Sequence, residues 1–176
     1  LFRSTKESPF EVNAENFANI MFRPNANFKL TENVTLNNIT PFGLNGSVVT
    51  PFKGTLDGVN HKVNVSFRED INSMYIGLFA VLGDGAEIKN LKVQVGGDIY
   101  IDGFQGKSCV GVIAGQVDGV DARIDNCQVS GTITIEKSNQ YYLYFGGLVG
   151  ELKRGTVQNS SIDIFLFDIS DIFTPI

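Results

Sequence analysis

"VGVIAG" at residues 110–115 is preceded by "YIGLFAV" at 75–81 and followed by "FGGLVG" at 145–150. One small apolar phrase, bracketed by glycine, is thus written three times, and Gly77, Gly111 and Gly146 fall 34 and 35 residues apart. Behind each copy stands a second shared phrase: "EIKNLKV" (87–93), "RIDNCQV" (123–129) and "TVQNSSI" (156–162). Their asparagines, Asn90, Asn126 and Asn159, are spaced 36 and 33. A third apolar alternation, "DIYID", "TITIE" and "IFLFD", closes each unit. A repeat of this length marks a unit that cannot bury its apolar face alone and stacks on its neighbour. Three short strands per unit, with no helix between them, predict an all-β parallel β-solenoid (β-helix). Each strand then pairs with its own copy one coil along, about 4.8 Å away.

Stacked coils set like position above like position. Phe79, Ile113 and Leu148 are therefore expected to form one interior column, and Ile88, Ile124 and Val157 another. Gly77, Gly111 and Gly146 would permit corners where a Cβ would clash. Asn90, Asn126 and Asn159 are expected to stack as an internal amide ladder that satisfies buried turn groups. The position after them reads Leu91, Cys127, Ser160, which makes Cys127 a small core residue. Crossovers between parallel strands are almost always right-handed, so the solenoid is expected to be right-handed.

The stretch "PFKGTLDGVNHKVNVSF" (51–67) reads as a shorter, degenerate first copy with a turn at Asp57 and Gly58. The coils are thus expected to run over 51–176, four to five in number, with repeats starting near 75, 110 and 145. Residues 1–50 are expected to be an N-terminal cap. Within it "NAENFANIMFR" sets Phe17, Ile20 and Met21 at helical spacing, with Asn13 as N-cap and Pro24 forbidding continuation. That predicts a short helix over 14–22, covering the open end of the stack, plus strands from "NFKLTENVTL". The whole is read as one structural domain, a piece of a larger protein.

Composition narrows the function. With 176 residues and 43% hydrophobic content the chain can build one real core. A formal net charge of −5 and no basic run argue against nucleic acid as partner. No apolar run is long enough for membrane insertion. Nineteen glycines and fourteen phenylalanines suit a turn-rich β protein. Cys109 and Cys127 form no metal spacing with the single histidine, so no metal or cofactor is implied.

Candidate chemistry is sparse, and no catalytic residue is assigned. His61, after the Asp57 turn, is read as a structural turn residue. Asp84, Asp118 and Asp121 fall in the same variable turn of successive coils, while the third copy carries Lys153 and Arg154. Solvated turn positions are the simpler reading. The alternative is a polysaccharide lyase or glycoside hydrolase on a parallel β-helix, where two carboxylates flank a sugar groove. The best binding candidate is "SNQYYLYFG" (138–146), with Tyr141, Tyr142 and Tyr144. Alternation puts Tyr142 and Tyr144 on one face. "GFQGKS" (103–108), with Phe104 and Gln105, lies at the equivalent place one coil earlier and would extend that patch.

The run "ENFANIMFRPNANFKLTENVTL", then "PFKGTLDGVNHKV" and "YIGLFAVLGDGAEIKNLKV", resembles GLUG-motif β-helix regions of bacterial surface proteins. Such regions occur in the N-terminal part of immunoglobulin A protease-like zinc metallopeptidases and in other wall-anchored proteins. "VGVIAG" and "FGGLVG" are close to the phrase that names the motif. Val81 stands where a second glycine is expected, and Ile113-Ala114 replaces the usual Leu-Val. His61 is the only histidine, so the HExxH signature of such peptidases is absent from this chain. The resemblance implies a non-catalytic extracellular module, secreted or cell-wall anchored, that spaces an effector domain or binds a host protein or glycan. Adjacent domains of the same chain would be partners. In a metallopeptidase parent it would help engage an immunoglobulin-like substrate.

Overall fold

The computed structural model describes residues 4–68, 73–101, 107–137 and 142–168. These are nearly all β and wind as a parallel β-solenoid of about 4 turns. Along the first face run Phe10–Val12, Asn27–Leu30, Thr55–Asp57, Glu87–Lys89, and the distal parts of Ala114–Asp125 and Val149–Gln158. The second face stacks Val34–Ile39, Lys62–Phe67, Lys92–Val95, Gln128–Lys137 and Ser161–Asp168. A third, shorter face carries Tyr75–Ile76, Lys107–Val110 and Tyr142–Phe145. Among the described residues the antiparallel pairing is the small hairpin Leu44–Asn45 with Val48–Val49, turned by Gly46 at φ 58°.

The interior is built of columns. Phe10, Phe28, Leu56, Ile88, Ile124 and Val157 lie one above another on the first face, which includes the column expected from the repeats. On the second face Val34, Val63, Val93, Val129 and Ile162 do the same. Burying each such side chain contributes about 1.5–3 kcal/mol before conformational entropy is counted.

The parallel sheet begins earlier than the division at residue 51. Phe10–Val12 and Asn27–Leu30 are rungs of the first face, because Phe10 and Phe28 fit the same apolar column as Leu56. "NFKLTENVTL" forms two strands, one on each side of a corner. The helix is a 3₁₀ helix over Phe17–Phe22, not a helix over 14–22. With three residues per turn, Phe17 and Ile20 eclipse and are buried, while Met21 rotates outward and is 43% exposed. Asn13 still caps the preceding turn, accepting the N–H groups of Glu15 and Asn16. The helix sets Phe17 on Phe42, with ring centroids 5.7 Å apart. From there ring contacts run through Phe42, Phe79, Phe52 and Phe28 to Phe10, so much of the phenylalanine content fills the N-terminal end of the stack.

One column differs from expectation by a residue. Ile76 faces Val110, yet Phe79 faces Ala114, so a two-residue corner at Gly77 and Leu78 stands over a three-residue corner at Gly111, Val112 and Ile113. Phe79 therefore stacks between Phe42 and Ala114, and it is Leu78 that lies level with Ile113 and Leu148. The same slip sets Ala80, not Val81, beside Gly115, where the motif has its second glycine.

The corner glycines are required by space. A Cβ on Gly77 would collide with the Gly111 carbonyl oxygen, one on Gly111 with the Gly150 amide nitrogen, and one on Gly146 with the Val149 carbonyl oxygen. Asn90, Asn126 and Asn159 serve a different corner and adopt left-handed φ values of 51°, 52° and 52°. Asparagine tolerates that conformation better than most residues.

Their internal ladder forms only in part. Asn126 Nδ2 donates to Asn90 Oδ1 at 2.8 Å, but Asn90 Nδ2 donates to Asp57 and Asn159 Nδ2 to Asp125. Asn126 and Asn159 are exposed, because the inward position belongs to the next residue: Leu91 and Cys127 are both fully buried.

Candidate functional site

The third face and the strands that follow its corner build the polar cluster closest to the expected binding patch. Parallel register sets Cys109 between Tyr75 and Tyr144, and Lys107 beside Tyr142. Tyr142 is 74% exposed and Tyr144 50% exposed, so the alternation that places both on one side of their strand leaves both rings accessible. Beyond the glycine corner the chain doubles back closely enough for Gln116 and Glu151, neighbours in register, to reach this same column.

The contacts are specific. Lys107 Nζ donates to Glu151 Oε1 at 2.5 Å and also lies 5.4 Å from the centroid of the Tyr144 ring. Gln116 Nε2 donates to Glu151 Oε2 at 2.6 Å and to the Tyr75 hydroxyl at 3.2 Å. Lys153 Nζ stands 3.9 Å from Glu151 Oε2. The Lys107 hydrogen bond, helped by Gln116 and opposed by burial, holds the Glu151 carboxyl below its ordinary range. The same bond raises the Lys107 ammonium, so the pair stays ionised. Burial, reinforced by Glu151, pushes the Cys109 thiol up and keeps it neutral. Deeper in the core, burial raises Cys127 to about 11, and both cysteines are unpaired.

A second ionic cluster lies on the first face. The Glu87 side chain is 4% exposed and is bound by Arg123, Lys6 and Lys89. Burial pushes its carboxyl up, but the Arg123 hydrogen bond together with Lys89 and Lys6 outweighs it, and the net shift is downward. This is a satisfied structural cluster.

Tyr141, Phe104 and Gln105 lie outside the described residues. His61 closes its turn through the backbone, its N–H donating to the Gly58 carbonyl at 2.7 Å. Asp57 accepts from the Val59 N–H and from Asn90. Asp84 accepts the Val120 N–H, and Asp118 is held by Arg154 at 2.6 Å. Among the described residues no group of His, Cys, Asp and Glu has the arrangement of a metal site.

Sequence reasoning missed Tyr75, Gln116 and Glu151 as members of the cluster. A signal was present: Gln116 and Glu151 each stand five residues after a corner glycine, Gly111 and Gly146, as the first polar side chains after the apolar corner phrase.

The fold and this face define a β-helix module. Residues 106–134 match the family model of the GLUG motif, which takes in one coil from Lys107 across the Gly111 corner to Thr134. The chain thus carries a motif found in β-helix regions of bacterial surface proteins. No curated protein and no solved structure matches the chain. No helix among the described residues is long and apolar enough to cross a membrane.

Proposed function

We propose that this chain is a non-catalytic, extracellular β-solenoid module of a bacterial surface protein, secreted or wall-anchored, whose third face binds a host protein or glycan. The observation that carries this reading is the exposed pair Tyr142 and Tyr144 beside the Lys107–Glu151 ion pair, on a rigid ladder of parallel strands. Rigid strands present such a surface with little ordering cost on binding. In a surface metallopeptidase the same face would help hold an immunoglobulin-like substrate for a catalytic domain elsewhere in the protein. The polysaccharide-cleaving alternative is less well supported, because Asp84 and Asp118 are already engaged by a backbone N–H and by Arg154.

The test is a binding screen of the purified chain against host serum and matrix proteins and a glycan array, with the double variant Tyr142→Ala/Tyr144→Ala alongside. Binding that the variant loses while its unfolding midpoint stays unchanged supports the reading. No binding at roughly micromolar concentration reduces the module to a spacer.

A further inference from the structure

Resting on that reading, we infer that the ligand of the third face is an uncharged saccharide, stacked on Tyr142 and Tyr144 and hydrogen-bonded by the Tyr75, Lys107 and Glu151 cluster. Three features lead there. The two exposed rings lie two residues apart on one strand, about 7 Å along it, so they form a short aromatic strip. Lys107 sits over the Tyr144 ring and fixes its position, while the ring remains half exposed. Sugar rings present apolar C–H faces to such platforms, and the ring bodies supply contact area at low entropic cost.

The second feature is the mixture of donors and acceptors beside the strip. The Tyr75 hydroxyl accepts from Gln116 and keeps its own proton to donate. The Lys107 ammonium has three protons, of which Glu151 and the Tyr144 ring face engage two. Glu151 brings two carboxylate oxygens with several lone pairs, not all used by Lys107 and Gln116. Vicinal hydroxyls, each donor and acceptor at once, complement that set.

The third feature is charge. Lys107 and Lys153 both hold Glu151, at 2.5 Å and 3.9 Å, so an anionic ligand would compete with Glu151 for these ammoniums and a cationic one would compete with them for Glu151. A ligand without net charge leaves the pair intact. A protein partner fits less well, because a stable protein interface buries roughly 800 Å² per side around an apolar centre. The exposed aromatics Phe165 and Phe167 belong to the second face, not to this one.

The chain contains five tyrosines and no tryptophan, and Tyr75, Tyr142 and Tyr144 are in the cluster, so intrinsic tyrosine fluorescence reports on the face directly. We would titrate the whole chain with neutral oligosaccharides ending in glucose, galactose, mannose or N-acetylhexosamine, and with sialylated and sulfated counterparts. At least one neutral saccharide should change the fluorescence saturably, at roughly millimolar concentration or below. Tyr144→Ala and Glu151→Gln should each weaken that binding by about tenfold or more, and Tyr142→Phe, which keeps the ring, by much less. Phe165→Ser, on the other face, should leave it unchanged.

Selective binding of the sialylated or sulfated forms overturns the inference. So does capture of a host protein with no response to any saccharide, although the broader reading then stands. Silence towards saccharides and host proteins alike removes both.

Discussion

Val93 and Ile162 occupy the same inward column of the second face, two coils apart, yet Val93 is 1% exposed and Ile162 is 52% exposed. The difference is not chemical. Val93 has Val63 on one side and Val129 on the other, whereas Ile162 has a strand on one side only among the described residues. At the opposite end the stack is closed by the 3₁₀ helix, and Phe17 at its start is fully buried against Phe42. In a solenoid, then, burial belongs to neighbouring coils and not to the residue. Phe165 and Phe167 are exposed for a separate reason. Their register with Thr132 and Thr134 turns them outward on the side of the stack, so their rings lie on its lateral surface and not in the core.

Truncation inside the stack and at its last coil should separate most widely. Phe79→Ala removes a fully buried ring that touches Phe42 and Phe52, and should cost about 3–5 kcal/mol. Ile162→Ala, in a half-exposed site, should cost less than about 1 kcal/mol. Chemical denaturation of both variants checks this, and equal losses would mean that the last coil is covered in solution.

Acid should weaken the first face at Glu87. The Glu87 carboxyl is lowered in the folded state, so its contribution is fully present above the unfolded carboxylate range and is lost as pH falls through the folded value. Glu87→Gln should lose about 1.5–3 kcal/mol at neutral pH and flatten the fall in stability below pH ~5. Denaturant midpoints measured from pH 7 down to about 3 would reveal it, and an unchanged slope would show that other carboxylates govern acid unfolding.

The corner asparagines sharpen the comparison by being blind to position. Backbone strain is local, so Asn90→Val and Asn159→Val, both at left-handed corners, should each cost about 1–2 kcal/mol. Similar losses would separate corner geometry from burial. A loss confined to Asn90 would mean that packing from adjacent coils, not φ, sets the value of these asparagines.

Much of this architecture is legible in the sequence. The spacing of Gly77, Gly111 and Gly146 reports coil length, and the alternation through Ile88, Ile124 and Val157 reports an inward column, because both depend only on period and local sterics. Corner asparagines are legible for the same reason: a left-handed φ is a one-residue property.

What lay beyond the sequence depends on distances between strands. The one-residue slip that sets Phe79 against Ala114 follows from how two corners of unequal length nest. The choice of a 3₁₀ helix follows from fitting Phe17 and Ile20 onto a finished end of the stack. The binding cluster is the clearest case. Tyr75, Lys107, Gln116, Tyr144 and Glu151 come from three coils and from both sides of a glycine corner, and no single stretch of chain shows them together. Local period determined the coil and its corners; only the folding of strand over strand decided which polar side chains meet, because hydrogen bonds and ion pairs fall off within a few ångströms that a sequence does not record.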